Sequence, residues 1–212
     1  LMGVTLPLHR FTSSNKLSSY IFRLLLKIKL DLVICTQDGS GGKEWMDRYL
    51  NKKTKKIILI NGYSNYFDSN NNLEKSNHIL FDKTYMNLLF VSRLVEGKGC
   101  LELINSFNKL IKSKLTNLRL IVIGEGPLKN KMFQSLKENN IEKYATFTGS
   151  MKHDEVIKCY KFADVYISLN EMGSLINSNL EAIKSNNCMI IPESLDDFYI
   201  DKFTDNLIPD NC

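Results

Sequence analysis

From Tyr85 onward, short apolar runs alternate with segments whose apolar residues recur every three or four positions. Leu88-Leu-Phe-Val91 has the length of a strand, and Cys100, Leu103, Ile104, Phe107, Leu110 and Ile111 follow at helical spacing. Leu118-Arg-Leu-Ile-Val-Ile123 predicts the next strand, and Leu128, Met132, Phe133 and Leu136 the next amphipathic helix. The pattern continues with a short strand at Ala145-Thr-Phe147, a helix marked by Val156, Ile157 and Tyr160, and a strand at Asp164-Val-Tyr-Ile-Ser168. A helix over 177–186 and a strand at Cys188-Met-Ile-Ile191 close the series.

Before this region the rhythm is looser. Ser18 to Leu30 predicts a helix with a basic face, Asp31 to Thr36 a buried strand, Lys43 to Asn51 a helix and Lys56 to Ile60 a second strand. The polar, turn-rich stretch Asn61 to Asn72 is the best linker candidate. The expected organisation is a remnant of a first α/β domain over 1–62, an Asn-rich linker over 63–85 and a second domain over 86–212.

Strands apolar on both faces, alternating with amphipathic helices, indicate an α/β fold: a Rossmann-like parallel sheet with helices on both sides. In open parallel sheets, ligands bind beyond the carboxyl ends of the strands. The residues that follow the strands therefore carry the functional reading. They are Ser92-Arg93-Leu94-Val95-Glu96-Gly97-Lys98-Gly99, Gly124-Glu125-Gly126-Pro127, Thr148-Gly149-Ser150 and Leu169-Asn170-Glu171-Met172-Gly173-Ser174. Arg93 and Lys98 can neutralise phosphate, arginine through a planar fork and lysine as a point charge. The backbone N–H groups opening the 177–186 helix can hold an anion, and Glu181, about one turn in, can accept from ribose hydroxyls. The set suits a nucleotide diphosphate. A dinucleotide fingerprint needs a third glycine, and Leu128 and Lys129 stand where it would fall.

Composition narrows the class without choosing a function. The 212 residues are 43% hydrophobic and 24% charged with a formal charge of +5, ordinary for a globular enzyme and short of the excess of a nucleic-acid binder. Five scattered cysteines without a C-x-x-C pair argue for a reducing compartment and against a disulfide framework or zinc site. No apolar run approaches the roughly 20 residues that span a bilayer. His153 reads as part of a helix start, and His9 as either a first-domain site residue or a structural one.

The residues after the strands also carry a resemblance. Ser92-Arg-Leu-Val-Glu-Gly-Lys-Gly99 is similar to the S/G-R-L-x-x-x-K-G segment of glycosyltransferase family 4, whose members are retaining enzymes of the GT-B fold. Ile121-Val-Ile-Gly-Glu-Gly-Pro-Leu128 resembles the family's I-x-G-x-G-P-x segment, and Phe147-Thr-Gly149 its F-x-G turn. Tyr160 to Ser168 resembles its Y-x-x-A-D-V-x-x-x-S strand entry, and Leu180-Glu-Ala-Ile183 its L-E-A-M helix. These segments stand in the family's order and spacing.

The resemblance implies a nucleotide-sugar glycosyltransferase acting with retention on a glycan, lipid or small acceptor. Arg93 and Lys98 would contact the diphosphate and stabilise the leaving group. Glu181 would hold the ribose, and Gly173, Ser174 and Leu175 would face the donor sugar and phosphate. Loops at Gly124, Gly126 and Gly149 would border the nucleotide. No metal and no cofactor are implied beyond a UDP- or GDP-linked co-substrate, and the chain carries no D-x-D motif. The expected setting is cytoplasmic, with peripheral contact at the membrane face or a partner chain supplying missing structure as further implications.

Two departures stand out. The family often has a second glutamate eight positions before that of L-E-A; here the position is Gly173, with Glu171 two residues earlier. A complete enzyme of this fold also needs two Rossmann-like domains, and residue 1 is a leucine. The start of the first domain and the closing C-terminal helix are expected to lie outside this chain. Two other functions fit the same nucleotide site: a GT-B sugar-nucleotide epimerase and a non-catalytic donor-binding module.

Overall fold

The structure, a computed structural model, describes residues 17–37, 42–60, 80–170 and 176–192. They form two compact units, one built on residues 17–60 and the other on 80–170 and 177–192.

In the first unit, helix α1 (Leu17–Leu25) precedes strand β1 (Leu32–Gln37), helix α2 (Gly42–Tyr49) and strand β2 (Lys55–Ile60). β1 and β2 pair in parallel, Leu32 opposite Lys55 through Gln37 opposite Ile60. Helix α1 ends earlier than the expected Leu30. Lys27 and Ile28 donate to carbonyls only three residues back, and the Asn51 side chain takes the Lys27 carbonyl at 2.7 Å. A carbonyl captured by a side chain, in a tightened last turn, no longer serves a fourth-residue donor. The helix shows solvent an apolar side in place of the expected basic face: Leu17, Tyr20, Ile21, Leu24 and Leu25 are exposed, and its one cation, Arg23, is partly buried.

The second unit is a five-stranded sheet of β3 (Met86–Val91), β4 (Leu118–Ile123), β5 (Ala145–Gly149), β6 (Val165–Ile167) and β7 (Cys188–Ile190), in the order β5-β4-β3-β6-β7. Every neighbouring pair is parallel. Four helices connect the strands: α3 (Cys100–Lys112), α4 (Lys129–Glu138), α5 (His153–Phe162) and α6 (Asn177–Lys184). Alternation along each strand divides the core into two layers. Leu88, Phe90, Leu120, Val122 and Ile167 meet Leu103, Ile104 and Phe107 of α3 and Met132 and Leu136 of α4. Leu89, Ile121, Ile123 and Tyr166 meet Val156, Ile157 and Tyr160 of α5 and Ala182 of α6. This is the α/β sheet with two helical layers that the sequence predicts.

Side-chain hydrogen bonds fix the amino-terminal edge. Asp164 accepts from the Asn87 backbone at 2.7 Å and from its amide at 3.2 Å, tying β6 to β3. Asn187 closes the carboxyl end of α5 by donating to the Tyr160 carbonyl at 2.7 Å and that of Ala163 at 2.9 Å.

The cysteines differ in one respect from the free thiols expected. Cys35, Cys100 and Cys159 are free, and burial pushes the Cys159 thiol up to about 12, so it stays protonated. Cys188 is disulfide-bonded. Among the described residues, no helix is long and apolar enough to cross a membrane, and no group of three or more histidine, cysteine or carboxylate side chains could hold a metal ion.

Candidate functional site

The strand order places a reversal between β3 and β6. Connections run outward from β3 through β4 to β5, then return past β3 to β6 and β7. The loops leaving the carboxyl ends of β3 and β6 therefore diverge and open a crevice, the usual ligand position in such sheets.

Glycines stitch these loops together. Gly124 has φ 137°, and a Cβ there would collide with the Ser92 carbonyl oxygen. Leu94, wholly buried, donates to the Glu125 carbonyl at 2.9 Å and accepts from Leu128 at 3.0 Å, while Gly124 donates to Gly149 at 2.9 Å. Gly126 lies against the Leu94 carbonyl in the same way, and Gly149 packs beneath the Glu125 carboxylate. Gly99, with φ 68°, opens α3, and a Cβ on it would strike Leu169 in the loop after β6. Only glycine lets these two loops approach so closely.

Lys98 bridges the crevice. Its Nζ donates to Oδ1 of Asn170 at 2.8 Å, and Asn170 is itself buried. Half-burial lowers the Lys98 pKa from the ordinary lysine value, and the Arg93 guanidinium lowers it further by repulsion. Arg93 is exposed. Two cations thus share one rim, and the buried one is held by a neutral amide. Their mutual repulsion favours an anion between them.

Glu181 lies on α6, with 14% of its side chain exposed. Its Oε1 is 3.7 Å from Nε2 of His153, in the first turn of α5. Burial raises its pKa, which the His153 charge and the nearby Tyr160 hydroxyl counter. No hydrogen bond or ion pair among the described residues joins Glu181 to Arg93 or Lys98. Glu171, Gly173, Ser174 and Leu175, with His9, lie outside the described residues.

The opposite edge of the sheet carries a rival. A shallow hollow there is lined by Tyr85, Leu118, Arg119, Lys143 and Tyr144. Its cations already have partners: Arg119 sits over the Tyr85 ring at 5.4 Å and within 4.0 Å of Asp82, and Lys143 lies 5.0 Å from the Tyr144 ring. It lies at the amino-terminal ends of the strands, where neither the reversal nor the loop glycines contribute.

Residues 71–192 match the family described as glycosyl transferases group 1. The chain belongs to that family. It is 28% identical over 177 residues to an uncharacterized glycosyltransferase of Methanocaldococcus jannaschii, covering 81% of this chain and 42% of the relative. It is 27% identical over 103 residues to an alpha-monoglucosyldiacylglycerol synthase of Acholeplasma laidlawii, covering 49% of this chain and 26% of that protein. The fold is shared with a pneumococcal O-GlcNAc transferase solved in complex with UDP and GlcNAc, at a TM-score of 0.63 and 18% identity over 91% of this chain and 35% of that one. This chain spans less than half the length of each.

Sequence reading picked out Arg93, Lys98 and the loop glycines of this glycosyltransferase-family chain, and the structure brings them to one edge of the sheet. Asn170 stands among the residues named after β6 without a role, and the structure sets it against Lys98, 72 positions away; His153 opens α5 as expected, and its imidazole also stands beside Glu181. Neither contact carries a local signal, since each joins residues distant in sequence.

Proposed function

We propose that this chain carries the donor-binding half of a metal-independent glycosyltransferase that moves a sugar from a UDP- or GDP-linked donor with retention of configuration. Arg93 and Lys98 engage the diphosphate and stabilise the charge that grows on it as the glycosidic bond to the leaving group breaks. Glu181 holds the ribose hydroxyls, and Gly124, Gly126 and Gly149 let the backbone approach the nucleotide. Glu171, Gly173, Ser174 and Leu175 complete the sugar and phosphate side. The acceptor is a glycan or a lipid-linked molecule, and the lipid-glycosylating relative favours the second. The proposed setting is the cytoplasmic side of a membrane, touched peripherally, with the first domain completed by further sequence or by a partner chain.

One observation carries this reading: two neighbouring cations at the sheet reversal, one of them half-buried and held, among the described residues, by a neutral amide. A diphosphate relieves the repulsion and satisfies both. Calorimetry with UDP, GDP and their sugar conjugates tests it. Arg93→Ala is expected to weaken nucleotide diphosphate binding by about ten- to a hundred-fold, the range of a hydrogen bond to a charged group. Binding of neither nucleotide to the wild type, or equal binding by Arg93→Ala, would remove the basis for the proposal.

A further inference from the structure

Helix α5 turns two residues toward Glu181. His153 and Tyr160 are seven positions apart, two turns along one face of the helix. The imidazole is at the rim, 55% exposed and 3.7 Å from the Glu181 carboxylate. Tyr160 is deeper and wholly buried, and its hydroxyl completes no hydrogen bond. Buried hydroxyls are nearly always paired; among the described residues Tyr160 and Ser185 carry the unpaired ones, and that of Tyr160 is the one beside Glu181.

Its surroundings supply the explanation. The Tyr160 ring meets Tyr166 edge to face with centroids 5.4 Å apart. The Tyr166 hydroxyl is already committed, donating to Oδ1 of the fully buried Asn179 at 3.0 Å. The Glu181 carboxylate lies near enough for its charge to act on the Tyr160 hydroxyl. An ionised carboxylate is a stronger acceptor than a second phenol.

We propose that His153 and Tyr160 are positioning residues for Glu181, holding its carboxylate in the one orientation that accepts the ribose hydroxyls of the donor nucleotide. This rests on the reading of Glu181 as the ribose acceptor. A free glutamate side chain has three rotatable bonds, and a ligand that must order them binds less tightly. Here His153 already stands against the carboxylate before the ligand arrives. His153 flanks it at the solvent side with a partner that can carry positive charge. Tyr160 stands beneath it, its O–H available to the carboxylate once the ribose fixes the side chain. Glu181 is the fifth residue of α6 and Asn179 the third, so the Tyr166–Asn179 bond anchors the turn that carries the carboxylate.

The test compares ribose discrimination among three forms of the full chain: wild type, Tyr160→Phe and His153→Gln. Calorimetry measures UDP and GDP against their 2′,3′-dideoxy analogues. Wild type is expected to prefer the hydroxylated nucleotide by about tenfold or more, the scale of a hydrogen bond to a charged group. Each variant is expected to cut that preference several-fold while binding the dideoxy analogue within about twofold of wild type. A wild type without preference overturns the ribose role of Glu181, and this inference with it. A wild type that prefers ribose hydroxyls, with variants that keep the full preference, overturns the positioning role alone. Equal losses for both ligands, with a lowered melting temperature, also overturn it, because that is the signature of a structural tie between α5 and α6. His153 is half-exposed, so His153→Gln carries the test should Tyr160→Phe fail to fold.

Discussion

The two units use the same kind of strand and bury it differently. β2 reads Lys55-Lys-Ile-Ile-Leu-Ile60 and β4 reads Leu118-Arg-Leu-Ile-Val-Ile123, each apolar on both faces. In the second unit that pattern is covered from both sides, and Leu120, Ile121 and Val122 are wholly buried. In the first, among the described residues, Met46 of α2 and Leu50 just after it form a small core, while Leu32, Ile34 and Leu59 remain 43%, 54% and 49% exposed. Parallel strands are normally covered on both faces. A two-faced apolar run therefore states how a strand is to be buried, and the cover must be found elsewhere in the fold. The five-stranded unit holds its cover within the described residues, and the two-stranded unit does not.

Paired core substitutions test that contrast with the largest effect. Phe90→Ala, in the central strand, is expected to cost about 3–5 kcal/mol. Ile34→Ala, in the exposed sheet, is expected to stay within about 0.5 kcal/mol. Chemical denaturation with probes in each unit reads the difference, and equal losses would erase the distinction between the units.

A second substitution addresses the loop edge. Gly124→Ala forces a side chain against the Ser92 carbonyl at a φ of 137°, and strain of this kind costs on the order of 1–3 kcal/mol. The same denaturation measurement is expected to show this loss with the circular dichroism spectrum unchanged. A neutral result would mean that the loops after β3 and β4 can separate without penalty.

The smallest effect concerns Glu181. Burial holds its folded pKa above the ordinary glutamate value of 4.5. In the window from that value up to the raised one, the folded state binds more protons than the unfolded chain, so stability falls as pH rises through it. Glu181→Gln is expected to remove this slope and to raise the melting temperature slightly at neutral pH. Melting curves across the acidic range check the sign, and a slope unchanged by the substitution would contradict it.

Much of the second unit was legible because its signals are local. Continuous apolar runs and period-3.6 apolar spacing mark β3 through α4 closely, and Gly-Glu-Gly after β4 marks a close backbone approach. The roles of individual residues were less legible. Asp164, part of the Tyr160 to Ser168 resemblance, ties β6 to β3 through Asn87, 77 positions away. Asn187 looks like an ordinary turn residue and closes α5. Helix α1 stops short of Leu30 because Asn51, 24 positions on, takes the Lys27 carbonyl. Contacts of that separation leave no periodic trace, and neither does the Lys98–Asn170 bridge that defines the candidate site.

A crystal structure of the chain soaked with UDP tests the account most directly. The expected result is a diphosphate at the reversal between β3 and β6, within hydrogen-bond reach of Lys98 Nζ and Arg93, with the bond from Lys98 to Asn170 lengthened or exchanged for one to phosphate. A diphosphate lodged instead between Arg119 and Lys143, at the far end of the strands, would contradict the central claim.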